Sequence, residues 1–116
     1  MPKKPSERDR LHHIIEAIDR IFRFQEKLTY EKFLSDEMAQ YAIIKNFEII
    51  GEAAYHLPES IRSTNDQIEW RKVIAFRHIL VHDYYKINTE VVWRAIENKL
   101  GDMRIEIEDM INDEEE

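Results

Sequence analysis

The spacing of apolar residues along the chain is the feature that most restricts its fold. Near the N-terminus apolar side chains recur about every three to four residues, which is the period of an α-helix: Leu11, Ile14, Ile15, Ile18, Ile21 and Phe22. Ser6 precedes this run, and the acidic residues Glu7 and Asp9 come directly after Ser6, as is typical of a helix N-cap and the first turn that follows it. With two glycines and three prolines in 116 residues, the sequence also lacks the turns of an all-β fold. These patterns predict an all-α protein.

The same period continues through a second long helix. It opens at 35–37 and ends at Leu57-Pro58, and its wide apolar face indicates contacts on two sides, within the bundle or across a dimer interface. Gly51 lies inside this helix, where glycine costs about 1 kcal/mol relative to alanine. A close approach of another helix would explain that glycine.

Two further helices are predicted in the second half of the chain. Residues 58–66 form a polar connection with one short helical turn, and Asp66 and Glu69 resemble a capping box for the third helix. Asn88 or Thr89 caps the fourth helix, whose inward residues are Val91, Val92, Trp93, Ile96, Leu100, Met103, Ile107 and Met110. Short connections between such helices predict an antiparallel up-and-down bundle of four to five helices.

Length, charge and composition restrict the class of protein. A chain of 116 residues suits a single domain, 1–116, with an acidic C-terminal tail at about 106–116. The absence of cysteine excludes disulfides, thiolate metal sites and a cysteine nucleophile. No apolar run could span a membrane and the start has no apolar signal core, so we expect a cytoplasmic protein. A net charge of -7 disfavours general coating of nucleic acid, although the slightly basic stretch 62–99 leaves room for a local anion site.

Titratable residues crowd the stretch FRHILVHDYY, residues 76–85. The third helix must end between Leu80 and Asn88, so His82 lies on its last turn or just beyond. Arg77 and His82 are five residues apart, about 140° around an ideal helix. We expect loosening of the last turn and the length of the arginine to bring both groups to one groove.

An arginine beside a histidine suits phosphodiester chemistry. The histidine can take the proton of a ribose 2′-hydroxyl or protonate the leaving oxygen, while the arginine binds the phosphate. One histidine cannot do both in one step, but a symmetric dimer would bring a second pair to the same cleft. RNA cleavage without a metal, leaving a 2′,3′-cyclic phosphate, is then reasonable. The structural alternative is a helix-end ion pair of Arg77 with Asp83, with His82 as a capping residue.

Other chemistries are disfavoured by the sequence. His78 and His82 are four residues apart and could share a helix face as metal ligands, but Ile79 stands where a metalloprotease has glutamate and no third ligand is evident. No glycine-rich phosphate loop is present, because Gly51 and Gly101 are isolated. We therefore predict neither a resident metal nor a cofactor.

The motif Arg77-x4-His82-Asp83-Tyr84 resembles the R-x4-H-x-Y signature of the HepT toxins, a branch of the HEPN family. His78 occupies a position that is usually polar in that family, most often asparagine. Outside the motif, YAIIKNFEIIGEAAYHLP (41–58) resembles the second long helix of the family, and IEWRKVIAFRHILVHDYYKINTEVVWRAIENKL (68–100) resembles the third and fourth. The resemblance covers nearly the whole chain.

The resemblance implies both an activity and a set of partners. It implies a HEPN-like bundle that forms a homodimer with facing motifs, and a metal-independent endoribonuclease that is the toxin of a type VII-like toxin–antitoxin system. Arg77 and His82 would be catalytic, with His78 and Asp83 in support, and the RNA would be one such as tRNA. The implied antitoxin is an MntA-like nucleotidyltransferase that attaches AMP to Tyr84. The alternatives are a non-catalytic module that binds a nucleotide or the partner, and a purely structural helical dimer.

Overall fold

The computed structural model describes residues 3–115, with the side chains of all but Tyr84, Glu114 and Glu115. Within this range every regular element is helical, and the all-α prediction is confirmed. The helices are α1 (Glu7–Glu26), α2 (Tyr30–Ser35), α3 (Glu37–His56), α4 (Glu59–Thr64), α5 (Trp70–His82), α6 (Thr89–Asn98) and α7 (Leu100–Glu115), and a 3-10 turn, Tyr84–Lys86, joins α5 to α6. The predicted acidic tail is thus helical as far as Glu115, and Glu116 lies outside the described residues.

The core is built around α1 and α3. Helix α1 packs against α3 and α7, α3 also packs against α5, and α6 packs against α7 and α2. The inward face of α1 is fully buried, as its period predicts: Leu11, Ile14, Ala17, Ile18 and Ile21. None of the helices in the described range is long and apolar enough to cross a membrane.

Side-chain caps fix three of the helix starts where the sequence predicts them. The Ser6 hydroxyl accepts a hydrogen bond from the Asp9 amide at 3.0 Å, and the Asp9 carboxylate accepts one from the Ser6 amide at 2.9 Å. The Asp36 carboxylate accepts from the Ala39 amide at 2.9 Å at the start of α3. The Asn88 side chain caps α6 in the same way, accepting from the Glu90 amide at 2.9 Å.

The predicted capping box of the third helix is wrong. Helix α5 begins at Trp70, and Glu69, in the N-cap position, makes no side-chain capping bond. The connection before α5 is held by other hydrogen bonds. The Asn65 side chain donates to the Ile61 carbonyl at 2.8 Å, and the Trp70 indole donates to the Asn65 carbonyl at 2.9 Å. A buried tryptophan, rather than a carboxylate cap, anchors the start of α5.

The predicted fourth helix is divided in two. Helix α6 ends at Asn98 and α7 begins at Leu100, with Lys99 between them. The break allows α6 to contact α2 while α7 lies along α1, so each buries its own apolar residues. Val91 was predicted to face inward and instead is 53% exposed.

Part of the wide apolar face of α3 is not covered within the chain. Ile43, Phe47 and Ile50 are buried, whereas Met38 is 85% exposed and Tyr41 is 64% exposed. The exposed residues lie in the first two turns of α3. The bundle itself therefore provides only part of the contact that was predicted for the two sides of α3.

Candidate active site

Helices α3 and α5 pack closely together at Gly51. A Cβ placed on Gly51 would overlap the Cβ of Arg77 and lie 2.6 Å from its Cγ. Only a residue without a side chain leaves this space to the arginine, so the close approach predicted from Gly51 is confirmed. The result is that the aliphatic part of Arg77 lies directly on the backbone of α3.

The Arg77 guanidinium is bound by the residue that follows Gly51. Its Nη2 lies 2.5 Å from Oε2 of Glu52, and the Arg77 side chain is 26% exposed. The guanidinium carbon is 5.9 Å from the centroid of the Tyr55 ring, within the range of a cation–π contact. Arg77 therefore has a fixed direction along α3, with one edge of the site open to solvent.

Glu52 also bonds to the next turn of its own helix. Its Oε1 lies 2.8 Å from Nε2 of His56. Partial burial opposes ionisation of Glu52, but the hydrogen bond with His56 and the positive charge of Arg77 outweigh it and lower the pKa of Glu52 below its usual value. Glu52 is therefore ionised near neutral pH and neutralises Arg77 in the free protein.

His82 lies at the exposed end of α5 beside His78. The two rings have centroids 4.6 Å apart and planes inclined by 47°. Both side chains are exposed, and neither imidazole makes a hydrogen bond to any described residue. His82 therefore has its nitrogens available to solvent.

Asp83 ends the helix and does not pair with Arg77. Its amide donates to the Ile79 carbonyl at 2.9 Å, and its carboxylate accepts a hydrogen bond from the Tyr85 hydroxyl at 3.4 Å. The helix-end ion pair considered as the structural alternative is thus not formed, because Glu52 is the partner of Arg77.

The motif residues do not converge within one chain. Helix α5 is continuous from Trp70 to His82, so the expected loosening of its last turn is wrong. Arg77 contacts α3, whereas His82 contacts His78 on a different side of α5. Arg77 and His82 therefore have different neighbours within the single chain.

An open groove of about 340 Å³ lies next to Arg77. It runs from α1 across α3 to α5, and it is lined by Arg10, His13, Lys45, Glu48, Ile49, Glu52, Ala53, Arg77 and Val81. Sequence reasoning did not assign most of these residues, because they come from three helices that only the tertiary fold brings together. Among the unassigned residues, the sequence pointed only to Glu52, because it follows Gly51, a glycine that is unusual within a helix.

Tyr84 lies in the 3-10 turn that follows α5, but its side chain is outside the described part of the structure. The neighbouring Tyr85 is 71% exposed, and the Lys86 ammonium lies 5.7 Å from its ring centroid. Among the described residues, no group of three or more His, Asp or Glu side chains is arranged to hold a metal ion.

The helical fold and the arginine–histidine motif on α5 define a protein of the HEPN class. Residues 14–110 match the family model described as "Ribonuclease HepT-like". The chain therefore belongs to the HepT-like ribonuclease family.

Relatives are found over almost the full length of the chain. A protein of Methanocaldococcus jannaschii named "Putative RNase MJ0127" is 37% identical over 113 residues, which cover 97% of this chain and 93% of the relative. A protein of Thermococcus cleftensis named "Probable ribonuclease HepT" is 33% identical over 101 residues, 87% of this chain and 92% of the relative. No solved structure gives a significant match to the chain.

Proposed function

We propose that this protein is a metal-independent endoribonuclease that uses Arg77 and His82 at a cleft between two copies of the chain. The observation that carries the proposal is the state of these two groups on α5: Arg77 is oriented against α3 by Glu52, and His82, the last residue of α5, has a solvent-accessible imidazole. An oriented cation and an accessible proton acceptor are the two groups that metal-free RNA cleavage requires. The names of the relatives, which describe RNases, support the same activity.

The reaction follows from the chemistry of the two side chains. His82 takes the proton of a ribose 2′-hydroxyl, and the 2′-oxygen attacks the adjacent phosphorus. The bond from phosphorus to the 5′-oxygen breaks, and that oxygen leaves with a proton. Arg77 binds the non-bridging oxygens, whose negative charge rises in the transition state. The products are a 2′,3′-cyclic phosphate and a 5′-hydroxyl end.

A homodimer supplies what one chain lacks. The leaving oxygen needs a proton while His82 is accepting one, and a second His82 can give it. A two-fold axis near α5 would also place Arg77 of one copy opposite His82 of the other. Apolar side chains are exposed on this part of the surface and supply area for such a contact: Tyr41, Ile79 and Val81.

The activity would be that of a cytoplasmic toxin with tRNA as its substrate, held inactive by an MntA-like nucleotidyltransferase. In this proposal the transferase attaches AMP to Tyr84, two residues after His82 in the turn that follows α5. The added phosphate charge and nucleotide bulk beside the motif would compete with RNA for Arg77.

Cleavage of total tRNA in the presence of EDTA tests the ribonuclease. We expect the wild-type protein and the control His12→Ala to cut, leaving cyclic phosphate ends, and His82→Ala to lose about 10²–10⁴-fold in rate, the usual contribution of general acid–base catalysis. Equal cleavage by His82→Ala would refute the assigned role. If the wild type does not cut, a non-catalytic module that binds a nucleotide or its partner becomes the better explanation.

Expression in cells tests the toxin and its control. The chain alone should arrest growth, and co-expression with a nucleotidyltransferase from a neighbouring reading frame should restore it. Mass spectrometry should then find AMP on the peptide that contains Tyr84. The variant Tyr84→Phe should escape the modification and stay toxic in the presence of the transferase, whereas Tyr85→Phe should still be modified.

A further inference from the structure

We propose that His78 and His82 form a binding site for a divalent transition-metal ion such as Zn²⁺ or Cu²⁺, and that the bound ion inhibits the protein. The inhibition, though not the binding, rests on the proposed ribonuclease function. This ion would differ from a resident catalytic metal, because the proposed reaction uses only side chains.

The two imidazole rings lie close enough to bind one metal ion together. His78 and His82 are one helical turn apart on the same face of α5, and their ring centroids are 4.6 Å apart. Imidazole nitrogens bind zinc at about 2.0–2.1 Å, so two nitrogens on one ion lie at most about 4 Å from each other. Rings already in contact can meet this requirement by side-chain rotation, without movement of the helix.

Both imidazoles are also available as metal ligands. Neither imidazole is engaged in a hydrogen bond to a described residue, and both are exposed, so water can complete the coordination shell. His56 gives a contrast within the same chain, because its Nε2 is bound to Glu52 at 2.8 Å. A metal ion at His78 and His82 would therefore displace no hydrogen-bond partner from the described part of the chain.

The charges near the two histidines do not exclude a cation. Arg77 precedes His78, and a free guanidinium there would repel a cation. Its charge is instead neutralised by Glu52, with Nη2 and Oε2 2.5 Å apart. Asp83, the residue after His82, carries a negative charge that offsets further positive charge in this segment. The local electrostatics therefore permit a divalent cation.

The ligand type sets the class of metal. Imidazole suits copper, nickel and zinc, whereas magnesium and calcium prefer oxygen ligands. For one site the divalent ions follow the Irving–Williams order, so Cu²⁺ should bind more tightly than Zn²⁺. Mg²⁺ should not compete with either ion.

The consequence for the reaction is direct. A metal ion on His82 occupies the nitrogen lone pair that accepts the proton of the 2′-hydroxyl, and a cation-blocked imidazole cannot act as a base. Chelators would then raise the cleavage rate rather than lower it. The position of His78 matters because His82 alone would offer only one ligand.

Isothermal titration calorimetry with Zn²⁺ on the full chain, purified without a polyhistidine tag, tests the binding. We expect one ion per chain for the wild type and for His12→Ala, which removes another histidine of the chain. Loss of an outer-shell partner alone weakens metal affinity by about 10–100-fold. Removal of one ligand, in His78→Ala or His82→Ala, should therefore weaken the binding by at least about tenfold. No binding to the wild type, or unchanged affinity in His78→Ala, would overturn the proposal.

The inhibition is tested separately by tRNA cleavage at Zn²⁺ concentrations spanning the calorimetric Kd. We expect cleavage by the wild type to fall with site occupancy and to recover with EDTA, and cleavage by His78→Ala to lose this sensitivity relative to its own rate in EDTA. Full cleavage by a wild-type protein saturated with Zn²⁺ would overturn the inhibition. Absence of cleavage even in EDTA would instead refute the proposed ribonuclease, and calorimetry would still decide the metal site.

Discussion

The Cβ of Arg77 fills the space that a side chain on Gly51 would need. One glycine on α3 thus determines where the arginine of α5 can lie, and the next residue, Glu52, determines where its guanidinium points. The packing of two helices and the orientation of a proposed catalytic group are therefore the same structural feature.

Replacement of this glycine should destabilise the protein. Gly51→Ala forces a methyl group into Arg77, and such overpacking typically costs about 1–3 kcal/mol, more than the roughly 1 kcal/mol that alanine gains in helix propensity. Gly101→Ala is the matched control, because nothing lies within 4 Å of a Cβ at that position and the substitution should stabilise α7 by up to about 1 kcal/mol. Urea unfolding monitored by circular dichroism measures both. Equal effects at the two glycines would contradict the close approach.

Glu52 should act on cleavage through Arg77. We expect Glu52→Gln to lower the rate about tenfold by loosening the guanidinium, and Arg77→Ala to lower it by about 10²-fold or more, as loss of a transition-state donor does. If Glu52 only orients Arg77, the double variant should be no slower than Arg77→Ala alone. Steady-state tRNA cleavage rates of the wild type, the two single variants and the double variant form a double-mutant cycle that measures this coupling. Additive losses would show that Glu52 has a separate role.

Stability should depend on pH through the same carboxylate. The pKa of Glu52 is lowered in the folded protein, mainly by His56 and Arg77 acting against partial burial. Its contribution is present above the pKa of the unfolded chain and is lost as the pH falls through the folded value. The difference in free energy of unfolding between wild type and Glu52→Gln should therefore shrink between about pH 6 and about pH 3. Urea titrations at the two pH values measure it, and a constant difference would contradict the assignment.

The ion pair between α1 and α7 should contribute more than the pair within α7. Arg104 donates to both carboxylate oxygens of Asp19, at 2.8 and 3.3 Å, and to Glu108 on its own helix at 2.9 Å. Asp19→Asn removes a two-pronged contact between helices and should cost about 1 kcal/mol, whereas Glu108→Gln should cost about 0.3–0.5 kcal/mol, as exposed pairs one turn apart do. Thermal unfolding of both variants provides the comparison. A larger effect from Glu108→Gln would refute this ranking.

Local signals explain which parts of the fold could be predicted. Ser6, Asp36 and Asn88 cap helices through hydrogen bonds to amides two or three residues away, so their positions can be read from short stretches. Asp66 and Glu69 carry the same kind of signal, but burial of Trp70 decides where α5 begins. The break at Lys99 has a tertiary origin as well, since it lets two helices reach different partners.

The candidate site was proposed from its residue types, and its geometry could not be predicted from the sequence. Arg77 and His82 remain a prediction made from one stretch of sequence, whereas Gly51 correctly indicated a close helix approach. The pairing of Arg77 with Glu52 depends on how α5 crosses α3, which no local pattern specifies. The direction of His82 away from Arg77 follows from the continuity of α5 to its last residue.

The modest burial of α5 has a consequence for its dynamics. Helix α1 buries five residues, whereas α5 buries only Trp70 and Leu80 and packs mainly on one neighbour, α3. Segments with few buried contacts open at a lower free energy than the rest of a domain. Amide hydrogens of α5 should therefore exchange with solvent faster than those of α1, and a molecule that covers α5 should slow that exchange. Protection of the α5 amides from hydrogen exchange would therefore report directly whether a molecule is bound over the motif.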